Sequence, residues 1–293
     1  MHTIHVECPL TSYIILFADE SFLSTWFNIQ APKVKVLILN LQTQYYSLPE
    51  FVDTMDNLQV LIITNYGFFP TELRNFQLLK SLPNLKTIRL EKVFIPSLCK
   101  APVLLKSLKK ISLFMCKIGQ AFQNFTIQVP NLMEINFDYC NDLVEFPAVL
   151  CDVICLKKLS ITNCHHLSAL PNGIGKLVNL EVLRLGSCTS LSELPESIKS
   201  LDKLRFLDIS DCLSITHLPK EIGELCNLKE LHMKGWLRLR KGLPPSTTNL
   251  EQLKLVICDE ERVKFWEPIK EVLTNLEVKV AEKDINLTWL LKP

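Results

Sequence analysis

Residues 180–201 read Leu-Glu-Val-Leu-Arg-Leu-Gly-Ser-Cys-Thr-Ser-Leu-Ser-Glu-Leu-Pro-Glu-Ser-Ile-Lys-Ser-Leu. The same phrase recurs along the chain, and its cysteine recurs with it. Five cysteines stand 24 residues apart, at Cys116, Cys140, Cys164, Cys188 and Cys212. A strict period of this length, with apolar residues in fixed positions, is typical of a solenoid built from stacked coils.

Each part of the repeated phrase predicts a local structure. Leu183 and Leu185 stand two residues apart on either side of Arg184, which predicts a short strand with both leucines facing inward. The later apolar residues are spaced by three, as expected for a tight 3₁₀-like segment, and Pro195 turns the chain away from the sheet. We therefore expect an α/β leucine-rich-repeat solenoid, with a curved parallel sheet on the concave side and short helices or 3₁₀ turns on the convex side.

The repeat extends over most of the 293 residues. The first apolar position of each coil is traced through Val34, Leu58, Leu85, Leu108, Leu132, Leu156, Leu180, Leu204, Leu228, Leu250 and Leu273. An earlier coil is expected through Tyr13, Ile15 and Phe17. This division predicts an N-terminal cap with the first coil over 1–33, repeats of about 24 residues over 34–258, and a C-terminal capping coil and tail over 259–293.

Composition narrows the function further. Hydrophobic residues make up 48% of the chain, as a solenoid with inward-facing coils requires, and the net charge is +1. Residues 1–150 carry 12 basic and 12 acidic side chains, and the remainder carries 20 and 19, so neither half predicts a nucleic-acid partner. No apolar run approaches the length of a membrane span, and no basic segment precedes the apolar stretch at Tyr13 as a signal peptide requires.

The eleven cysteines are expected to be reduced. Equivalent cysteines of adjacent coils project in parallel, whereas a disulfide needs Cβ vectors that converge. Free thiols favour a cytoplasmic location, with the nucleus as the other possibility.

Catalytic and cofactor signals are weak. Gly173-Ile174-Gly175-Lys176 lacks the upstream glycine and the hydroxyl of a phosphate-binding loop, so we interpret it as a turn before Leu177. His165 and His166 follow Cys164, but that thiol is predicted to face the core. No enzyme activity, metal or other cofactor is expected.

The coils with Leu-Pro and a cysteine after the strand resemble the repeats of plant intracellular NLR immune receptors. The flanks sharpen this resemblance. Trp26–Pro32, Asn84–Val93 and Ala281–Leu290 are similar to segments of the helper NLRs that carry a powdery-mildew-resistance-type coiled coil.

The resemblance implies a protein-interaction and autoregulatory module of an immune receptor, without the nucleotide-binding switch in this sequence. It also implies two partners: lipase-like immune-regulator heterodimers and the receptor's own nucleotide-binding domain. The alternative function is a leucine-rich-repeat substrate adaptor of a ubiquitin ligase or another intracellular signalling scaffold, and an adaptor needs a helical module before the repeats. A secreted repeat inhibitor is not expected, because it needs Leu-x-Gly-x-Ile-Pro coils and paired cysteine caps, whereas the coils here read Leu-Pro-x-x-Ile.

The outward positions of the predicted strands are the candidate binding surface. They combine charged, amide and aromatic groups, of which Phe114 and Tyr139 are the best anchor candidates because interface hot spots favour aromatic residues and Arg. The candidates are Arg89, Glu91, Phe114, Asn136, Asp138, Tyr139, Arg184, Asp208, His232, Lys234 and Lys254. Arg184 and Asp208, at the same outward position of adjacent coils, are expected to form an exposed ion pair, and Trp266 is grouped with the C-terminal candidates. Ile38 and Ile62, at outward positions of the first coils, predict contact with a neighbouring domain.

Overall fold

A computed structural model describes residues 12–19, 32–95, 103–118, 127–236, 238–239 and 242–282. Within these ranges the main feature is one sheet of 12 parallel strands, in which neighbours in space are also successive coils of the chain. The strands of this sheet are β1 (Tyr13–Asp19), β2 (Val36–Gln42), β4 (Val60–Asn65), β6 (Thr87–Glu91), β9 (Lys110–Phe114), β11 (Glu134–Asp138), β12 (Lys158–Thr162), β13 (Val182–Arg184), β14 (Phe206–Asp208), β15 (Glu230–His232), β16 (Leu255–Cys258) and β17 (Glu277–Val280).

Two smaller parallel sheets accompany it. One contains β3 (Tyr45–Ser47), β5 (Thr71–Arg74) and β7 (Val93–Phe94), and the other contains β8 (Val103–Leu104) and β10 (Ile127–Gln128). Short 3₁₀ segments occupy 50–54, 76–81, 148–152, 172–176, 196–200, 222–224, 245–249 and 260–265, and the helix α1 spans Glu267–Val272. The predicted leucine-rich-repeat architecture is confirmed.

The repeated leucines form the core between the sheet and the 3₁₀ segments. Leu183 pairs in register with Leu207 and is fully buried, as is Leu185. On the opposite side of the coil, Pro195 has an extended backbone and directly precedes the 3₁₀ segment. Its carbonyl accepts a hydrogen bond from the amide of Ile198. Gly175 lies in the equivalent segment of the preceding coil, where an added Cβ would stand 2.5 Å from the carbonyl oxygen of Ser197. This glycine therefore allows two coils to approach closely.

The strands β6, β9 and β11 to β15 are each followed by a turn residue in the left-handed region, directly before the cysteine position. The non-glycine members of this row are Lys92, Met115, Tyr139, Asn163, Ser187 and Asp211, and Gly235 continues it. Left-handed backbone is costly for residues with a Cβ, least so for Asn and Asp. Seven different residue types adopt this conformation at the same place in the coil, so the geometry of the coil imposes it rather than the side chain.

The cysteine positions form a buried ladder. Each of the five cysteines at the 24-residue spacing is at most 2% exposed. Cys188 Sγ donates to the carbonyl of Ile161 at 3.3 Å, and Cys212 Sγ donates to that of Leu185 at 2.9 Å. Burial raises the pKa of Cys116 to about 12 and that of Cys212 to about 12, because a thiolate would lose its hydration there. The nine cysteines within the described ranges all have free thiols, and Cys8 and Cys99 lie outside them.

The predicted first coil exists, but its phase was wrong. In β1 the buried residues are Ile14, Leu16 and Ala18, while Phe17 is 66% exposed and Tyr13 also faces outward. The stretch Tyr-Ile-Ile-Leu-Phe-Ala is apolar at every position, so alternation could not distinguish its two faces.

The register predicted from Leu250 was also wrong. Leu231 pairs with Val256, and His232 pairs with Ile257, so the first apolar position of that coil is Leu253. Val256, which the sequence placed outward, is fully buried. Leu250 lies in the turn before the strand, three residues ahead of Leu253. Because the repeat also begins with two leucines three residues apart, this pair was mistaken for the start of the coil.

Some predictions lie outside the described residues. These are the flanking segments over 26–31 and 283–290 that carried part of the resemblance. Among the described residues, no helix is both long and apolar enough to cross a membrane. The domain boundaries at 33 and 258 stay predictions.

Candidate functional site

The concave face is defined here by the side chains of the 12-stranded sheet that point away from the core. Arg89, Ser112, Asn136, Ser160, Arg184, Asp208 and His232 form its middle row, since each pairs in register with its neighbour. Ile38 and Ile62 continue this row toward β1, where Ile15 joins them.

An aromatic cluster lies at the carboxyl ends of β9, β11 and β12. The rings of Phe114 and Tyr139 meet edge to face with centroids 5.9 Å apart, and Tyr139 meets His165 in the same way at 6.3 Å. Tyr139 is 40% exposed and has left-handed backbone, with a φ of 53°. The neighbouring Met115 is also exposed. The structure therefore brings together the two predicted anchors and adds His165.

Internal hydrogen bonds occupy the polar residues beside this cluster. The carboxylate of Asp138 accepts from Thr162 Oγ1 at 2.9 Å and from Asn163 Nδ2 at 2.8 Å. Asn136 Nδ2 donates to Glu134 Oε1 at 3.0 Å, and Lys110 Nζ lies 2.7 Å from the same oxygen.

These contacts also affect ionisation. Although burial opposes ionisation, the hydrogen bonds from Lys110 and Asn136 lower the pKa of Glu134. Asn136 and Asp138 therefore stiffen the face more than they offer free groups to a partner.

A second cluster centres on Phe206, whose ring is half-buried on the outward side of β14. The guanidinium carbon of Arg184 lies 4.7 Å from the centroid of this ring, and His232 meets the ring at 4.8 Å. The Nε2 of His232 is 3.7 Å from the Glu230 carboxylate. A cation over an aromatic face and an edge-to-face pair both hold Phe206 in a fixed orientation.

The expected pairing of Arg184 with Asp208 was wrong. Arg184 lies over Phe206, while Asp208 Oδ1 accepts a hydrogen bond from the amide of Ser210 at 3.0 Å. The ring of Phe206, on the neighbouring strand β14, is within reach of the Arg184 guanidinium. This contact does not require a carboxylate to lose its hydration, as an ion pair with Asp208 would.

Three further candidates take different places. Arg89 pairs with Glu91 at 3.6 Å on the same strand. Lys234 is half-buried in the turn after β15. Lys254 is not in the row of His232, because the register shift places it before β16, where its amide bonds to the carbonyl of Lys229.

The grouping of Trp266 with the surface candidates was wrong too. Trp266 is fully buried beside α1, so it belongs to the capping core. Conversely, Phe206, Met115 and His165 were missed. The outward position of Phe206 could have been predicted from the alternation of the strand, because Phe206 stands two residues before Asp208 and therefore lies on the same face.

These features define a repeat module whose long outward face carries two fixed aromatic clusters, about three strands apart and hence separated by about 15 Å. Comparisons with solved structures agree on the fold. The leucine-rich repeat domain of the type III effector XCV3220 (XopL) has a TM-score of 0.64 at 22% identity, covering 80% of this chain and 79% of that one. The structure of the TLR13–ssRNA13 complex has a TM-score of 0.57 at 17% identity, covering 90% of this chain and 37% of that one.

Sequence comparisons identify the family. Residues 150–287 match the family model described as a leucine-rich repeat region. Probable disease resistance protein At5g66890 from Arabidopsis thaliana is 50% identical over 283 residues, which cover 95% of this chain and 67% of that protein. Disease resistance protein ADR1 from the same plant is 44% identical over 269 residues, covering 90% of this chain and 34% of ADR1.

The chain belongs to this family of plant disease-resistance proteins and represents their leucine-rich-repeat region. It spans between about a fifth and two thirds of the length of the relatives it matches, from 19% of Probable disease resistance protein At5g66900 to the 67% given above.

Proposed function

We propose that this chain is the protein-recognition and autoregulatory module of a plant intracellular immune receptor, and that it acts without catalysis. The observation that carries the proposal is Phe206, held on the outward face between Arg184 and His232. A half-buried aromatic ring with a preset orientation loses little side-chain entropy on binding, which is typical of an interface hot spot.

The partners follow from the family resemblance and the surface. We propose that the concave face engages a lipase-like immune-regulator heterodimer. Tyr13, Ile15 and Phe17 of β1, with Ile38 and Ile62, form an outward apolar patch at the opposite end of the sheet. This patch suits contact with the receptor's own nucleotide-binding domain, and it supports the autoregulatory part of the proposal. The compartment proposed is the cytoplasm, with access to the nucleus.

Binding to a purified lipase-like heterodimer tests the first partner. The Phe206→Ala variant, alone and with Arg184→Ala, is expected to weaken binding by calorimetry by about 2 kcal/mol or more, as for a hot spot. Ser160→Ala, a small change on the same face, is the matched control.

Thermal unfolding separates binding from folding, because neither Phe206 nor Arg184 is part of the buried core. Unchanged affinity of the double variant, at unchanged stability, would exclude the concave face as the binding surface. A ubiquitin-ligase adaptor is the second candidate function, but no feature of the described residues favours it.

A further inference from the structure

The amino edge of the sheet carries a row of basic side chains that the balanced charge of the whole chain conceals. In each coil, the residue just before the strand donates its amide to the carbonyl of the equivalent residue in the preceding coil, so the row is defined by backbone hydrogen bonds. From the first coil to the last, the row reads Lys35, Gln59, Lys86, Lys109, Met133, Lys157, Glu181, Arg205, Lys229 and Lys254. We call these residues the amino-edge row.

The basic members of the row are all exposed. Lys157 pairs with Glu181 at 3.2 Å, and Lys86 Nζ donates to Gln59 Oε1 at 3.1 Å. For Lys35, Lys109, Arg205, Lys229 and Lys254, the described part of the chain offers no carboxylate within ion-pair distance. With strands about 4.8 Å apart, the row extends over roughly 40 Å and places like charges side by side.

Acidic side chains gather at the other end of the strands, and there they have structural partners. Asp138 accepts from Thr162 and Asn163, Asp208 accepts from the Ser210 amide, and Asp259 Oδ2 accepts from the Gly235 amide at 2.8 Å. The carboxylates are thus explained by the turns that they stabilise. In the described part of the chain, no comparable carboxylate or turn partner is found for the side chains of Lys35, Lys109, Arg205, Lys229 and Lys254.

We propose that the amino-edge row binds an acidic, extended segment of a protein partner. This proposal deepens the proposed function, since it names the chemistry of a partner that the module recognises. Half-buried apolar side chains stand next to the row on the outward face, at Val36, Val182, Phe206 and Leu255. A protein segment can offer carboxylates to the cations and apolar side chains to these neighbours.

The acidic far edge favours a narrow partner. A strand of five residues separates the two edges by only about 15 Å. A polyanion that covered the whole width of the sheet, as a nucleic acid or an anionic membrane would, would meet the far-edge carboxylates at a distance where salt screens them only partly. An acidic segment lying along the row meets mainly cations, because Glu181 is the row's one carboxylate and it is paired with Lys157.

The test uses a fluorescein-labelled peptide rich in Glu with interspersed Leu, measured by anisotropy against the whole chain at low and high salt. Lys109→Gln/Arg205→Gln/Lys229→Gln is expected to weaken binding by about tenfold, in line with the loss of several charge contacts. The control is Lys80→Gln/Lys199→Gln/Lys220→Gln, which removes the same charge from exposed positions in or beside the 3₁₀ segments. It is expected to bind like the wild type.

Two results would overturn the proposal. One is equal weakening by both triple variants, since net charge would then account for the binding. The other is tighter, row-dependent binding of single-stranded RNA or of phosphatidylserine-containing vesicles than of the peptide.

Binding to the lipase-like heterodimer separates this proposal from the proposed function. If Phe206→Ala weakened binding of the heterodimer and the amino-edge triple variant did not, the proposed function would be supported. The proposal that the row binds an acidic segment of this partner would be contradicted. If neither variant changed binding of the heterodimer, the proposed recognition role of the concave face would be excluded. The peptide measurement would still test the amino-edge row independently.

Discussion

The indole Nε1 of Trp236 donates a hydrogen bond of 2.9 Å to the carbonyl oxygen of Ile209. Trp236 directly follows Gly235, the residue that continues the left-handed row, so it stands where the earlier coils have a cysteine. Cys212 makes the corresponding bond to the carbonyl of Leu185, one coil earlier. An indole therefore continues the thiol ladder, with a stronger donor and a much larger apolar surface.

Trp236→Phe is expected to cost about 1–3 kcal/mol beyond the loss of packing, because the Ile209 carbonyl would be left without its donor. The free energy of unfolding from urea titration measures this. Trp266→Phe is the matched control, since Trp266 is equally buried but its Nε1 has no hydrogen-bond acceptor in the described part of the structure. If both variants lost the same stability, the hydrogen bond to Ile209 would contribute nothing.

Gly175→Ala should destabilise the chain by about 1–3 kcal/mol, because the new methyl group would meet the backbone of Ser197 in the next coil. Gly186→Ala introduces the same methyl group on the concave face, where the nearest atom is 3.7 Å away. It should be nearly neutral. Thermal unfolding of the two variants compares them directly, and a larger loss for Gly186→Ala would contradict the coil contact.

Ser187→Gly is expected to stabilise the fold by about 0.5–1 kcal/mol. Ser187 has a φ of 59°, and glycine removes the left-handed strain at a smaller entropic cost. Ser160→Gly makes the same change inside β12, where extended backbone gives no such benefit, so it should destabilise by a similar amount. The prediction fails if the two substitutions change the urea midpoint in the same direction.

Alkaline pH should weaken the fold through the buried thiols. The pKa of Cys116 rises from 9.0 in the unfolded chain to about 12 in the native state, chiefly because of burial. The native chain therefore keeps a proton that the unfolded chain loses, so this contribution is complete below about pH 9 and is lost as pH rises toward about 12. Cys116→Ala/Cys212→Ala should flatten the fall in urea midpoint over this interval, whereas Cys226→Ser, at an exposed position, should leave it unchanged.

Thiol alkylation should follow burial. In the native state near pH 8, iodoacetamide should modify the exposed Cys226 before any of the buried ladder cysteines, because only an accessible thiolate reacts. After denaturation without a reductant, mass spectrometry should count 11 modified cysteines. A lower count would reveal a disulfide and argue against a reducing compartment.

Periodic sequence made most of this fold predictable, and the two errors show where periodicity loses information. From Leu108 to Leu228 the spacing has one solution, because polar residues separate the apolar positions of each strand. In β1 every residue from Tyr13 to Ala18 is apolar, and before β16 the step Leu250-x-x-Leu253 competes with the overlapping step Leu253-x-x-Val256. The site was harder to predict, since the contacts of Arg184 depend on which residue of the neighbouring strand is large enough to reach it.

The backbone bonds of the amino edge repeat from coil to coil, so they tolerate a change in the number of coils. The Glu181 amide bonds to the Lys157 carbonyl, and the Arg205 amide bonds to that of Glu181 in the same way. Excision of residues 180–203 would join Asn179 to Leu204 and recreate the Asn-Leu junction that stands before Leu58, Leu85, Leu132, Leu180 and Leu228. The gain or loss of one whole coil would therefore preserve the pattern of backbone bonds along the amino edge.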